Sequence, residues 1–182
     1  MTIKHILKIS LAAAAMAVPM TAEALTLRFE DTSAIGGGVL EISDLDNDGV
    51  ISETFVTVGT ATARVSSSWV TEATGLSKLQ LFVGGAVAGL GSLIIEASHA
   101  GFGAAAQNPL PSGVLFTMNA SEALSAGEVA AGEAFVDNGN VEFSQDTQVG
   151  STDFITVSSD HIEEYAAIAL SDPFSMTIRT AI

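Results

Sequence analysis

The sequence predicts an all-β fold, an antiparallel β-sandwich of jelly-roll type with at most one short helix. Short apolar runs alternate with period two, which places every second side chain on one face of a strand. About ten such runs recur at roughly ten-residue spacing, each bounded by Gly, Asn or Asp, as in single-domain sandwiches. Stripes of helical period are scarce, and the chain is rich in Gly, Ala, Ser and Thr around a single Trp and a single Tyr.

The first 24 residues stand apart from that pattern. Lys4 and Lys8 make a basic start, Ile9 to Met20 is apolar, and Ala22-Glu23-Ala24 is a small-x-small cleavage site, so residues 1–24 read as an export signal. The apolar run is shorter than the roughly 20 residues a spanning helix needs, and no later stretch reaches that length. The expected product is secreted, begins at Leu25, and forms one domain over residues 25–182.

From Leu25 the elements follow in order. Thr26 to Glu30 alternates as a first strand, Gly36-Gly37-Gly38 breaks it, and Val39 to Ile42 resumes. Asp44 to Gly49 connects to a long alternation from Val50 through Trp69, interrupted at Gly59-Thr60 by a hairpin turn or a bulge. Leu79 to Val83 and Ser92 to Ser98 are strands, with the Gly-rich Gly84 to Gly91 read as a loop between two antiparallel strands. Without a following helix or a Lys, that loop does not fit a phosphate cradle. Ala100 to Pro111 is a loop of small residues, and Val114 to Met118 another strand.

Ser121 to Ala131 is the one helix candidate, with Ser121 as its cap and Gly127 against it. Ala134 to Val136 and Val141 to Ser144 flank Asp137-Asn138-Gly139-Asn140, whose Asn-Gly predicts a hairpin turn. Phe154 to Ser158, Tyr165 to Leu170 and Phe174 to Arg179 complete the set.

Charge narrows the partners. Without Lys4, Lys8 and Glu23 the chain carries four basic against twenty acidic side chains, a formal charge of −16. Nucleic acid and anionic lipid are bound by clusters of Lys and Arg, so neither is an expected partner. Divalent cations and neutral glycans remain compatible. The absence of cysteine excludes disulfides, thiolate metal sites and cysteine nucleophiles.

One compact constellation stands out. Asp44, Asp46 and Asp48 fill positions 1, 3 and 5 of a calcium loop, Gly49 supplies the turn at position 6, Val50 would give its carbonyl and Ser52 stands at position 9. Position 12 is Phe55, and Glu53 falls two residues before it. Strand-like sequence on both sides argues for a calcium loop between strands, with Glu53 or a distant carboxylate completing the shell, rather than an EF-hand. An Asx turn whose carboxylates accept backbone N–H groups accounts for the same residues.

Other chemistry is weaker. His161 lies among Asp160, Glu163 and Glu164, where a metal site or acid–base pair competes with a solvated loop. His99 ends an apolar strand and reads as a core or edge histidine. Trp69 and Tyr165 could stack on sugars, although a lone Trp in an alternating strand is a core residue more often. With no Gly-x-Ser-x-Gly elbow to present a nucleophile, no enzyme activity is expected.

The D-x-D-N-D-G-V-I turn at Asp44 to Ile51, the run into Ser68-Trp69-Val70, Thr74-Gly75-Leu76-Ser77-Lys78, Leu79-Gln80-Leu81, the Gly-rich turn and Leu93 to Ser98 form an ordered series. Together they resemble the exported β-domains of PEP-CTERM, or exosortase-sorted, bacterial proteins. Ser171 to Arg179 is similar to the last strand of those domains. In that family a Pro-Glu-Pro signal, an apolar helix and a basic tail follow the last strand, and here the chain stops at Ile182 without them. The resemblance therefore implies a freely released extracellular or matrix-associated module, and it carries over no catalytic residues.

The expectation is a secreted, non-enzymatic structural or matrix-associated protein, stabilised by calcium at Asp44 to Glu53 and self-associating through edge strands. The alternative is a calcium-dependent carbohydrate-binding or adhesive module with an extracellular glycan as partner.

Overall fold

The computed structural model describes residues 24–71, 76–87, 91–103, 114–121, 130–155 and 159–182. These form eleven strands and, among the described residues, no helix. β1 (Thr26–Asp31) and β2 (Gly38–Ser43) form a hairpin; β3 (Val50–Val58), β4 (Ala61–Thr71) and β5 (Ser77–Val87) form a meander. β6 (Leu93–Phe102), β7 (Val114–Ser121), β8 (Ala130–Asp137), β9 (Thr147–Ile155), β10 (Ser159–Ala166) and β11 (Phe174–Ala181) follow.

They divide into a six-stranded sheet ordered β2-β1-β6-β11-β8-β9 and a five-stranded sheet ordered β10-β7-β5-β4-β3. The fold is a β-sandwich, and neither sheet closes into a barrel. The period-two patterning works as expected. Leu25, Leu27 and Phe29 before and on β1, Ala63 and Val65 on β4, Leu79 and Leu81 on β5, Leu93, Ile95 and Ala97 on β6, and Met176 and Ile178 on β11 all point into one apolar core between the sheets. Gly59-Thr60 makes the β3–β4 hairpin, with Gly59 at φ +57°.

Four expectations need correction. The sheets are not wholly antiparallel, because β5 pairs β7 in parallel, Ser77 opposite Val114. The Gly84 to Gly91 stretch is not loop throughout: β5 runs on to Val87, and the chain then changes sheet to enter β6. Val141 to Ser144 is not a strand, and β8 takes β9 as its partner, Val136 opposite Thr147. The strand expected over Tyr165 to Leu170 is β10, which ends at Ala166. The ends of the expected helix, Ser121, Ala130 and Ala131, are strand; its centre and all but the last residue of the expected export signal over residues 1–24 lie outside the described residues.

Val141 to Ser144 looks like strand because apolar and polar residues alternate in it, yet it lies over the outer face of the six-stranded sheet. Ser175 donates its hydroxyl to the Val141 carbonyl at 2.7 Å, Phe143 donates its N–H to Ser98 Oγ at 2.9 Å, and the Arg28 guanidinium lies 5.5 Å from the Phe143 ring centroid.

Beneath that loop a row of charges crosses five strands in register: Glu41, Arg28, Glu96, Arg179 and Glu133. Successive partners stand 3.9, 3.8, 3.7 and 2.8 Å apart. Alternating signs at directly opposed positions stabilise the sheet and fix its register. Glu96, the central member, is buried, and burial raises its carboxyl above the usual range against the pull of Arg28 and Arg179.

Candidate metal centre

The acidic connection links β2 of one sheet to β3 of the other, so residues 44–49 form a bridge between the two layers. Two left-handed residues shape it, Asn47 at φ 60° and Gly49 at φ 83°. Asn tolerates this region and Gly occupies it without a Cβ penalty.

Asp44 is almost wholly buried, whereas Asp46 and Asp48 are exposed. Asp44 donates its N–H to the Leu25 carbonyl at 2.8 Å, anchoring the loop to the start of the first strand. Its Oδ1 accepts the Asn47 N–H at 2.9 Å and its Oδ2 the Gly49 N–H at 2.8 Å. Asp48 Oδ1 accepts the Val50 N–H at 2.8 Å. The Asx turn is therefore present.

The same fold gathers the carboxylates. One oxygen from each of Asp44, Asp46 and Asp48 lies within 4.8 Å of the others, a cluster that could hold a metal ion. A carboxylate oxygen has two lone-pair directions, so capping a backbone N–H leaves room for a second partner.

Proximity also separates the groups in acidity. Burial pushes the Asp44 carboxyl up, but hydrogen bonds from Asp46 and from the Gly49, Asn47 and Asp48 N–H groups outweigh it and hold Asp44 below its ordinary value. Asp46 moves up, through its hydrogen bond with Asp44 and the repulsion of Asp48. A shared proton and a shared cation relieve the same repulsion.

The remaining sequence candidates lie alongside. Val50 opens β3, and Ser52 and Glu53 sit at an irregularity in the β3–β4 register between Ile51 and Thr54. Glu53 ion-pairs with Arg64 at 3.3 Å. The cluster thus unites the three aspartates, while Glu53 has its own cation on β4.

Trp69 underlies the loop. Its backbone N–H donates to the Gly49 carbonyl at 2.9 Å, and a Cβ on Gly49 would stand 3.2 Å from the indole Nε1 of Trp69. The Trp69 ring stacks on His99 of the opposite sheet at 4.1 Å between centroids and 12° between planes, and Phe102 meets both edge-on. His99 is buried, and desolvation holds its imidazole down to about 4. Trp69 and His99 are thus core residues beneath the acidic loop. His161 pairs with Asn119 in the β10–β7 register; its side chain lies outside the described residues.

Two further aspartates use the same device, and motif reading passes over them. Asp31, at the end of β1, accepts the Ser33 N–H and hydroxyl through Oδ1 and the Thr60 N–H and hydroxyl through Oδ2. Asp137, at the end of β8, accepts the Gly139 N–H at 2.7 Å and the Val141 N–H at 2.9 Å. Both are buried, and each stands two residues from a Ser or Gly, the spacing of an Asx turn.

Compared with protein-family models, with curated proteins and with solved structures, the chain matches none of them.

Proposed function

We propose that this chain is a secreted, non-enzymatic structural module of the extracellular space, and that its acidic loop takes up calcium. The observation that carries the reading is the convergence of Asp44, Asp46 and Asp48 within 4.8 Å on the connection between the two sheets. Calcium prefers six to eight oxygen ligands, and a loop of three carboxylates with water and main-chain carbonyls meets that preference. A cation there would tie the start of β3 to the end of β2 and so brace one layer against the other. Its role is stability of the sandwich rather than catalysis.

Several features support the rest of the reading. The export-type leader and the resemblance to exosortase-sorted domains argue for the extracellular space. His99, stacked inward beneath Trp69, is poorly placed for acid–base work. Two edge strands, β2 and β3, touch along one side of the molecule and expose Val39, Leu40, Val50 and Phe55, which supports self-association. The test is expression of the full chain in a bacterial host with a functional export pathway. A product in the medium that begins at Leu25 and binds calcium agrees with the proposal; retention in the cytoplasm with the leader intact contradicts it.

A further inference from the structure

The outer face of the five-stranded sheet carries a trough. Outward positions of β4 run Arg64, Ser66, Ser68 and Val70, so two of the shortest side chains lie between taller neighbours. Val50 and Glu53 of β3 rise on one side and Gln80 and Phe82 of β5 on the other. The cavity measures about 390 Å³, within the roughly 300–1,000 Å³ of small-molecule sites.

Backbone irregularity shapes it. Between Ile51 and Thr54, two residues of β3 oppose one of β4, a bulge at Ser52 and Glu53 beside Ser66. Bulges re-aim side chains and recur next to binding sites; here the bulge sets Glu53 against Arg64. On β5, a Cβ at Gly84 would stand 3.1 Å from Phe82 Cε1 and 3.4 Å from Arg64 Nη2. The missing side chain leaves room for both the Phe82 ring and the Arg64 guanidinium over Gly84, at one end of the trough.

The lining selects a ligand class. Both edges of β4 are bonded, to β3 and to β5, so no peptide strand can add to the floor and recognition falls to side chains. Ser68 donates its hydroxyl to Gln80 Oε1 at 3.3 Å, which leaves the Gln80 amide N–H groups, the Ser68 lone pairs and the Ser66 hydroxyl for a ligand, and Phe82 offers an apolar ring. Arg64 neutralises Glu53, and the chain's net charge of −15 repels anions.

We infer that this trough binds a neutral saccharide, its hydroxyls meeting Ser66, Ser68 and Gln80 and one ring face meeting Phe82. The site uses none of the three clustered aspartates, but it shares Val50, Ser52 and Glu53 with the wider calcium loop, so the titration is run with and without the cation.

The test is a ¹⁵N NMR titration of the mature chain with maltohexaose, cellohexaose and xylohexaose, each in calcium and in EDTA, with hexagalacturonate as the anionic counterpart. The expected result is saturable shifts centred on residues 50–53, 66–68 and 80–82 with at least one neutral oligosaccharide, in EDTA as well as calcium. Gln80→Ala and Phe82→Leu, each checked by its melting curve to be folded, should weaken binding about five- to tenfold, the effect of losing roughly 1 kcal/mol. No saturable shift up to about 10 mM, the range of the weakest specific binding, overturns the inference. So do shifts centred elsewhere, equal shifts with hexagalacturonate, or folded variants that bind as the parent does. Persistence in EDTA keeps the outcome separate from that of the calcium loop.

Discussion

Thr60 donates both its backbone N–H and its hydroxyl to Oδ2 of Asp31, at 2.6 and 2.9 Å, and so clamps the β3–β4 turn of one sheet to the end of β1 in the other. The clamp is close-packed: a Cβ on Gly59 would collide with the Gly36 carbonyl oxygen and Asp31 Oδ2. Ser33 hydrogen bonds first, then Thr60 hydrogen bonds, hold the Asp31 carboxyl far below its ordinary value.

Asp31→Ala leaves the Ser33 and Thr60 donors without their shared acceptor and should lower stability, read by urea unfolding at neutral pH. A depressed carboxylate gives its stability above the unfolded value near 4 and loses it as pH falls through the folded value. The difference between wild type and Asp31→Ala should therefore shrink in strong acid. A constant difference from pH 7 to pH 2 would show that the carboxylate's charge is irrelevant.

His99 governs a second pH window. Its imidazole falls from an ordinary 6.5 to about 4, chiefly through burial. The unfolded chain then binds a proton that the native chain refuses, so stability present above pH 6.5 declines as pH drops toward 4, by on the order of 3 kcal/mol. His99→Phe keeps a ring against Trp69 and removes the proton. Its stability between pH 6.5 and 4 should be flatter than that of the parent, and parallel curves would refute this role.

Glu96 sits between Arg28 and Arg179, whereas Glu41 lies at the exposed end of the same row. Glu96→Ala leaves two guanidinium groups without their shared partner beneath the 141–144 loop and should cost about 3 kcal/mol. Glu41→Ala should stay within about 0.5 kcal/mol, as exposed pairs do. Equal costs at the two positions would mean that the row acts through general surface charge.

Phe55 is 69% exposed on β3, and Leu40 is 37% exposed on β2, the adjoining edge strand of the other sheet. A Lys on an open edge opposes strand pairing between copies. Sedimentation at rising concentration should show association of the wild type and a monomeric Leu40→Lys, Phe55→Lys double variant. Identical profiles would assign association, if observed, to another surface.

Legibility in the sequence followed the physical range of each signal. Leu27 and Phe29, or Ala63 and Val65, announced their strands because one face of each is in the core, which is a local property. The Gly59-Thr60 hairpin was equally local. Pairing is not: nothing near Ser77 shows that it lies parallel to Val114. Val141 and Phe143 misled because apolar residues that cover an outer face look like those that fill a core. The lone charges Arg28, Glu96 and Arg179 in apolar strands were visible, but their row appears only once five strands are in register. The three clustered aspartates were legible from spacing alone; at Asp31 only the local turn to Ser33 has a sequence signal, because its other partner, Thr60, lies 29 residues away.

Trp69 is the only tryptophan, and it lies against Gly49 in the acidic loop, so its fluorescence reports on the proposed cation site. The decisive measurement is a calcium titration of the mature chain followed by calorimetry and Trp69 emission, with melting curves in calcium and in EDTA. Asp46→Ala with Asp48→Ala serves as the comparison. Calcium at about 100 times its dissociation constant should add roughly 2.7 kcal/mol and raise the melting temperature by about 5–10 °C, with a change in emission. The double variant should show none of these. Equal melting temperatures in all four conditions, with no binding heat and no change in emission, would contradict the calcium-braced sandwich.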